Sequence, residues 1–383
     1  MIETDNILKK ENNLYNGYFD DDSTEYDEME IENSSKLKRT LDIKKYDRMI
    51  KDIILSVEDK SIILTPEYQR NYLWDNKKSS KLIESILLNI PIPVIYAAEE
   101  QNGKWNIVDG LQRLNTLKRF YDDEFKLTGL EVLSELNGKK YSSLPDNLKN
   151  KIDRGDLSII LLLDSSSPDI QYDIFMRLNT GAVQLNEQEL RNCLYRGSLN
   201  DLVKNEMIYN DDFKALFNLN ILHKRMIDVE IILRYLAFSE NYNEKLNVIE
   251  NYDGRIKNIV NNFMIKYQNT DNDTLDRFKN KFYDNIKKCN EIFKDKAFKK
   301  VNSLGRFETR INRPLYETIM ICFEKYSMKQ LINNKDTILY ETECLLKNAE
   351  FNDLISTATG NTTKTNKRIQ MYSELLKGIM VHD

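Results

Sequence analysis

Three stretches of this 383-residue chain gather residue types that could act on a phosphate ester. The first is Trp105-Asn106-Ile107-Val108-Asp109-Gly110-Leu111-Gln112-Arg113, continuing through Leu114-Asn115-Thr116-Leu117. An apolar run enters Asp-Gly and a helical pattern starts at once. The first N–H groups of a helix have no partner within it, and glycine lets another group approach the backbone closely. Such a turn suits an anion, phosphate above all. Arg113 falls in the first helical turn, where the macrodipole disfavours a cation. A bound anion would remove that conflict and use the guanidinium as a two-pronged donor. A structural reading fits the same residues: Asp109-x-x-Gln112 has the spacing of a capping box, with Asp109 accepting from the helix and Gln112 reaching back. The two are compatible, since a capped turn can also hold phosphate.

The second stretch is Pro66-Glu67-Tyr68-Gln69-Arg70-Asn71-Tyr72-Leu73-Trp74. It could stack a base and bond its edge, or it is a surface loop pinned to a core by Tyr68 and Trp74. The third is Phe175-Met176-Arg177-Leu178-Asn179-Thr180-Gly181, continuing to Leu185-Asn186-Glu187-Gln188-Glu189-Leu190-Arg191-Asn192. Arg177 could reach a phosphate, with Thr180 and Gly181 donating from a turn. Alternatively, Asn179-Thr180-Gly181 closes one helix and Asn186 caps the next.

The elements that must position these residues follow from periodicity. Tyr46 to Ser56 carry apolar side chains at helical spacing, and Ile62–Leu64 predict a short strand. Asp75 caps a helix over 76–88 with the stripe Leu82, Ile83, Ile86 and Leu87, which Pro91 and Pro93 stop. Val94–Ala98 and Trp105–Val108 predict a hairpin turning at Asn102-Gly103. Leu157–Leu163 is a buried strand, Pro168 opens a helix to Leu178, and Asn186 with Glu189 has capping-box spacing. Beyond Arg196 the segments 199–209, 225–240, 253–267, 273–294, 313–326, 336–348 and 366–379 are helical in pattern and no strand is evident. The expected organisation is an acidic flexible tail over 1–40, an α/β domain over 41–196 and an all-helical domain over 197–383.

Composition bounds the class. Hydrophobic residues make up 41% and charged residues 31%, ordinary for a globular protein, and Gly 12 with Pro 6 favours helices over turn-rich β architecture. Cys193, Cys289, Cys322 and Cys344 form no CxxC pair and are expected as reduced core residues. The N-terminus has no basic-then-apolar leader, and no apolar run approaches the roughly 18 residues of a membrane helix, so a cytoplasmic protein without a membrane partner is expected. Net charge is −5, yet residues 1–32 alone hold eleven Asp/Glu against two Lys, which leaves the remainder mildly basic at about +4. Arg306, Arg310 and Arg313, then Lys364, Lys367 and Arg368, are either solvated helix faces or contacts to nucleic-acid phosphates or an acidic partner.

Taken together, QR-x-Y-x-W, VDG-x-QR-x-x-T-L and F-x-RLNTG with a following ELRN resemble the DGQQR-motif domain, the N-terminal part of GmrSD-type modification-dependent restriction enzymes. The resemblance covers residues 41–196, and more weakly His223–Asp228 and Arg306–Tyr316. It implies an α+β chain, with a small ParB/sulfiredoxin-like α/β domain followed by an all-helical one. It also implies NTP binding and hydrolysis coupled to defence against foreign DNA. On matching positions, Asp109, Gln112 and Arg113 would be catalytic. Gly110, Thr116, Tyr68, Gln69, Arg70, Arg177 and Asn179 would bind the nucleotide. Mg²⁺ would be the cofactor, and DNA and a separate effector chain are further partners. Leu111 departs from the pattern, standing where the family has the first Gln. The family's HNH nuclease half would need histidines, and with only His223 and His382 it is not expected to be encoded. There is no GxxxxGK[ST] loop and no Cys/His cluster, so NTP use would run through the Asp109–Arg113 turn. A non-catalytic nucleotide- or nucleic-acid-binding module and a DNA-nicking nuclease of ParB-like fold are the alternatives.

Overall fold

The computed structural model describes residues 41–64, 74–100, 102–166, 168–178, 186–217, 226–302 and 304–380. The expected tail over 1–40, Tyr68–Arg70, Asn179–Gly181, His223 and His382 lie outside these residues. The chain is α+β and divides between Leu194 and Tyr195 into two compact units.

The first unit is built on a five-stranded mixed sheet. Its elements are β1 (Ile43–Met49), α1 (Ile50–Glu58), β2 (Ile62–Ile63), α2 (Asn76–Leu87), β3 (Ile95–Glu99), β4 (Trp105–Asp109), α3 (Leu111–Tyr121), α4 (Asp146–Asp153), β5 (Asp156–Leu162), α5 (Pro168–Leu178) and α6 (Glu187–Leu194). The strand order is β1-β5-β3-β4-β2. The β1/β5 and β3/β4 pairs are antiparallel; the β5/β3 and β4/β2 pairs are parallel. Alternation along the strands sends Leu157, Ile159 and Leu161 of β5, Ile95 and Ala97 of β3 and Ile107 of β4 into one core, with Ile53 and Ile54 of α1, Ile83 and Ile86 of α2, and Leu114 and Leu117 of α3. The β3/β4 hairpin turns at Gly103, whose φ is +78°.

One expectation fails here. The helical pattern from Tyr46 is real only from Ile50, because Ile43–Met49 pairs with β5, Tyr46 standing opposite Ile159. β1 is an edge strand with one open side, so its side chains are mostly exposed and its sequence shows little alternation. The last turn of α3 is tied to α4 through Asp153, whose Oδ1 accepts from the hydroxyls of Tyr121 and Tyr141, 2.6 Å each. Burial, and then the bond to this carboxylate, pushes both phenols above the usual tyrosine range.

The second unit is helical: α7 (Ser198–Asn205), α8 (Asp211–Leu216), α9 (Ile227–Glu240), α10 (Ile256–Lys266), α11 (Asn272–Phe293), α12 (Arg313–Phe323), α13 (Met328–Asn333), α14 (Lys335–Lys347), α15 (Ala349–Leu354) and α16 (Thr362–Met380). A two-residue hairpin, β6 (Tyr242–Asn243) with β7 (Val248–Ile249), is set into this helical unit. It is too short for periodicity to reveal. Cys289 and Cys322 are buried, but Cys344 is exposed. The buried stripe of α14 is Ile338, Thr342 and Leu346, and Cys344 lies off it.

The core of this unit holds an ionic cluster that ties α9, α12 and α16 together. Glu317 accepts from Arg234 at 2.6 Å and from Arg368 at 3.0 Å, with all three side chains no more than 6% exposed. Arg368 also donates to the Thr359 carbonyl at 2.6 Å. Two guanidiniums buried around one carboxylate are tolerable only while the carboxylate is there. Glu317→Gln is therefore expected to destabilise the helical unit by about 3–5 kcal/mol. A lowered urea midpoint, with loss of amide-exchange protection in 227–240, is the checking measurement; an unchanged midpoint would remove the cluster from the account of stability.

Candidate functional site

The site is built where β4 becomes α3. Gly110 alone separates them, at φ +95°, a left-handed conformation glycine takes without strain. A Cβ added there would stand 2.8 Å from Ile95 Cγ1 and 3.2 Å from an Arg113 guanidinium nitrogen. The missing side chain thus makes room for Ile95 and Arg113 from within the domain, and Gly110 is itself buried.

Arg113 explains why that room is needed. Its side chain is only 10% exposed and folds back beneath the turn. One terminal nitrogen donates to Asp109 Oδ2 at 2.7 Å, and the other to the carbonyls of Pro93 and, at 3.3 Å, Val94. Prolines 91 and 93 keep that segment extended after α2, which leaves its carbonyls aimed at the guanidinium rather than bonded in a helix. The dipole conflict of a cation in the first helical turn is thus met by an aspartate and two carbonyl oxygens of the domain itself.

Asp109 consequently does not cap α3, and among the described residues no side chain caps that helix start. Its carboxylate is 41% exposed, held through one oxygen by a buried cation. Gln112 does not reach back either. Its Oε1 accepts from the Trp74 N–H at 3.1 Å, tying α3 to the residue before Asp75, the N-cap of α2. Thr116, one turn on, is buried against Ser79 of α2 with the two hydroxyls 3.3 Å apart, so it joins helices rather than facing solvent. Leu111 is 7% exposed and belongs to the core.

The remaining residues singled out in the sequence are distributed as follows. Arg177 is exposed in the last turn of α5. Tyr68, Gln69, Arg70 and Asn179 lie outside the described residues. The segment holding the first three begins after β2, which is paired in parallel with β4, and ends at Trp74, which is bonded to Gln112. The capping box of α6 forms as its spacing predicts, with Glu189 N–H to Asn186 Oδ1 at 2.8 Å and Asn186 N–H to Glu189 Oε2 at 2.7 Å.

Residues to which the sequence assigned no task also support this corner. Arg191 of α6 is 1% exposed, paired with Glu187 at 2.7 Å and set over the Tyr172 ring of α5. Gln188 and Asn192 are buried beside it on the same helix. α6 packs against β4, the strand that carries Asp109. The signal was present in Glu187-x-x-x-Arg191, an i,i+4 acid–base pair, but its burial was not legible.

Two substitutions test this construction. Gly110→Ala is expected to cost about 1–2 kcal/mol for the left-handed backbone alone, and more as Ile95 and Arg113 are displaced. Leu111→Gln should cost about 1–3 kcal/mol by burying an amide without partners. Both are read by thermal melting of the full chain; a Gly110→Ala protein as stable as the parent would refute the described turn.

No curated protein and no solved structure matches the chain. Residues 50–196 match the model of the GmrSD restriction endonuclease, N-terminal domain. The match takes in the Asp109–Arg113 turn, α2, the β3/β4 hairpin and α6. Over residues 50–196, the chain is therefore similar to the N-terminal domain of the GmrSD restriction endonuclease.

Proposed function

We propose that the first unit binds an NTP with Mg²⁺ at the β4–α3 turn and hydrolyses it, as part of a restriction-type defence against foreign DNA. The observation that carries this reading is the half-exposed Asp109 carboxylate, one oxygen of which is clamped by the buried Arg113. A carboxylate held in one orientation beside an uncapped helix start can ligate a divalent cation or orient a water while the helix N-terminus receives phosphate oxygens. Arg113 then acts as a positioning residue: it fixes Asp109 and does not itself neutralise the phosphoryl group. Gln112 holds the helix start against Trp74, and the amide the family has at position 111 is replaced by packing. Tyr68, Gln69, Arg70, Arg177 and Asn179 are assigned to the nucleotide on the family's pattern alone.

Phosphate release over the four NTPs, with Mg²⁺ and with or without DNA, is the primary experiment. Asp109→Asn should lower turnover by about 100-fold or more, the scale of removing a group aimed at the transition state, and should also lower the melting temperature, because the buried Arg113 guanidinium loses its carboxylate. Arg113→Lys should raise the Mg²⁺ concentration needed for half-maximal turnover more than it raises KM for the NTP. Leu111→Gln should not raise turnover. Nucleotide binding without turnover would favour the binding-module reading, and metal-dependent DNA cleavage without NTP would favour the nuclease. Absence of NTP binding at millimolar concentration would overturn the proposal.

A further inference from the structure

The helical unit contains a link with an excess of basic residues, several of them exposed. Of the basic residues singled out in the sequence, Arg313 and Arg368 are buried in the core, Lys364 is bonded to Asp353 and Thr357, and Lys367 lies 3.8 Å from Glu350. Arg306 and Arg310 remain exposed. They belong to the link between α11 and α12, where residues 294–310 hold six Lys/Arg against two Asp/Glu in a protein whose net charge is −5. The link folds back on itself: Val301 bridges Phe307, the Asn302 N–H donates to the Arg306 carbonyl at 2.9 Å, and Gly305 turns at φ +75°. Leu304 at this turn is 78% exposed, the highest value among the exposed large apolar side chains of the described residues. Lys294, Lys296, Arg306 and Arg310 are exposed; Lys296 lies over the Phe307 ring, 5.2 Å from its centroid, and its charge helps hold the Glu343 carboxyl below the usual range. Some surface cations of the unit, Arg277, Lys279, Lys281, Lys325 and Lys347, have a carboxylate within 3.2 Å, and others, such as Lys245, Lys329 and Lys377, are exposed like those of the link.

We propose that this link binds duplex DNA, with Lys294, Lys296, Arg306 and Arg310 on backbone phosphates and Leu304 reaching a groove. Cations concentrated on one link of 17 residues favour a polyanion, which releases its own counterions when it takes up several of them. An apolar side chain at the tip of a basic turn is the arrangement by which groove-binding proteins press against base edges or steps. The inference needs neither nucleotide nor Mg²⁺, so it stands apart from the reading of the β4–α3 turn.

The test is fluorescence anisotropy of a labelled 20-base-pair duplex against the full chain, without NTP or Mg²⁺, over a salt series. Wild-type protein should bind at low salt, with log affinity falling linearly as log salt rises. Arg306→Glu with Arg310→Glu should weaken binding at least tenfold and make the salt slope shallower by about 2, close to 0.9 per lost phosphate contact. Leu304→Ala should weaken binding a few-fold with the slope unchanged. Lys245→Glu, an exposed change outside the link, should leave affinity within about twofold, the small effect expected of a charge that makes no phosphate contact. The proposal is overturned if the wild type does not bind, if the double reversal binds like the wild type, or if poly-glutamate displaces the duplex at equal charge concentration, which would make the link a site for acidic protein.

Discussion

A strand that must become a helix within one residue is the constraint from which the first unit is arranged. Only a left-handed Gly110 makes that turn, and only the absence of its side chain lets the Arg113 guanidinium lie beneath it. Arg113 in turn needs the carbonyls of Pro93 and Val94, so the entry to β3 is held as well. What emerges on the surface is a single carboxylate in a defined orientation. The backbone and charge arrangement behind Asp109 is intelligible as a device for presenting it.

The same economy appears elsewhere. Arg191 lies over Tyr172 and holds Glu187, and Arg234 and Arg368 share Glu317. In each case a planar, permanently charged group satisfies several acceptors at once, which suits it to junctions between elements better than a lysine would. Each junction is also fragile. Removing the acidic partner strands a buried charge, whereas removing a surface pair such as Lys347–Glu343 should matter little. The cations thus fall into two populations, those consumed internally and those left at the surface, and only the second can meet a large anion.

The family similarity spans residues 50–196, and the basic link lies outside them. The basic residues of the helical half could not be sorted by counting charge. Arg313 and Arg368 have the same composition-level signature as Arg306 and Arg310, yet burial separates them completely.

The sequence by itself determined the elements whose signals are local. The Asp75 cap, the apolar stripe of α2, the Asn102-Gly103 hairpin, the Asn186–Glu189 capping box and the Asp-Gly turn into α3 all depend on contacts within a few residues, and periodicity or cap chemistry reports such contacts directly. The motif residues, too, were legible as a set. Only the tertiary structure decided what the described ones contact. Asp109 and Gln112 have capping-box spacing, but the box loses to a buried guanidinium and to the Trp74 N–H, partners distant in sequence or hidden by the fold. Tyr46–Met49 reads as helix until β5, more than a hundred residues away, supplies a strand partner. Whether an arginine is a ligand group or a strut depends on how much water reaches it, and that is a property of packing, which no short spacing encodes.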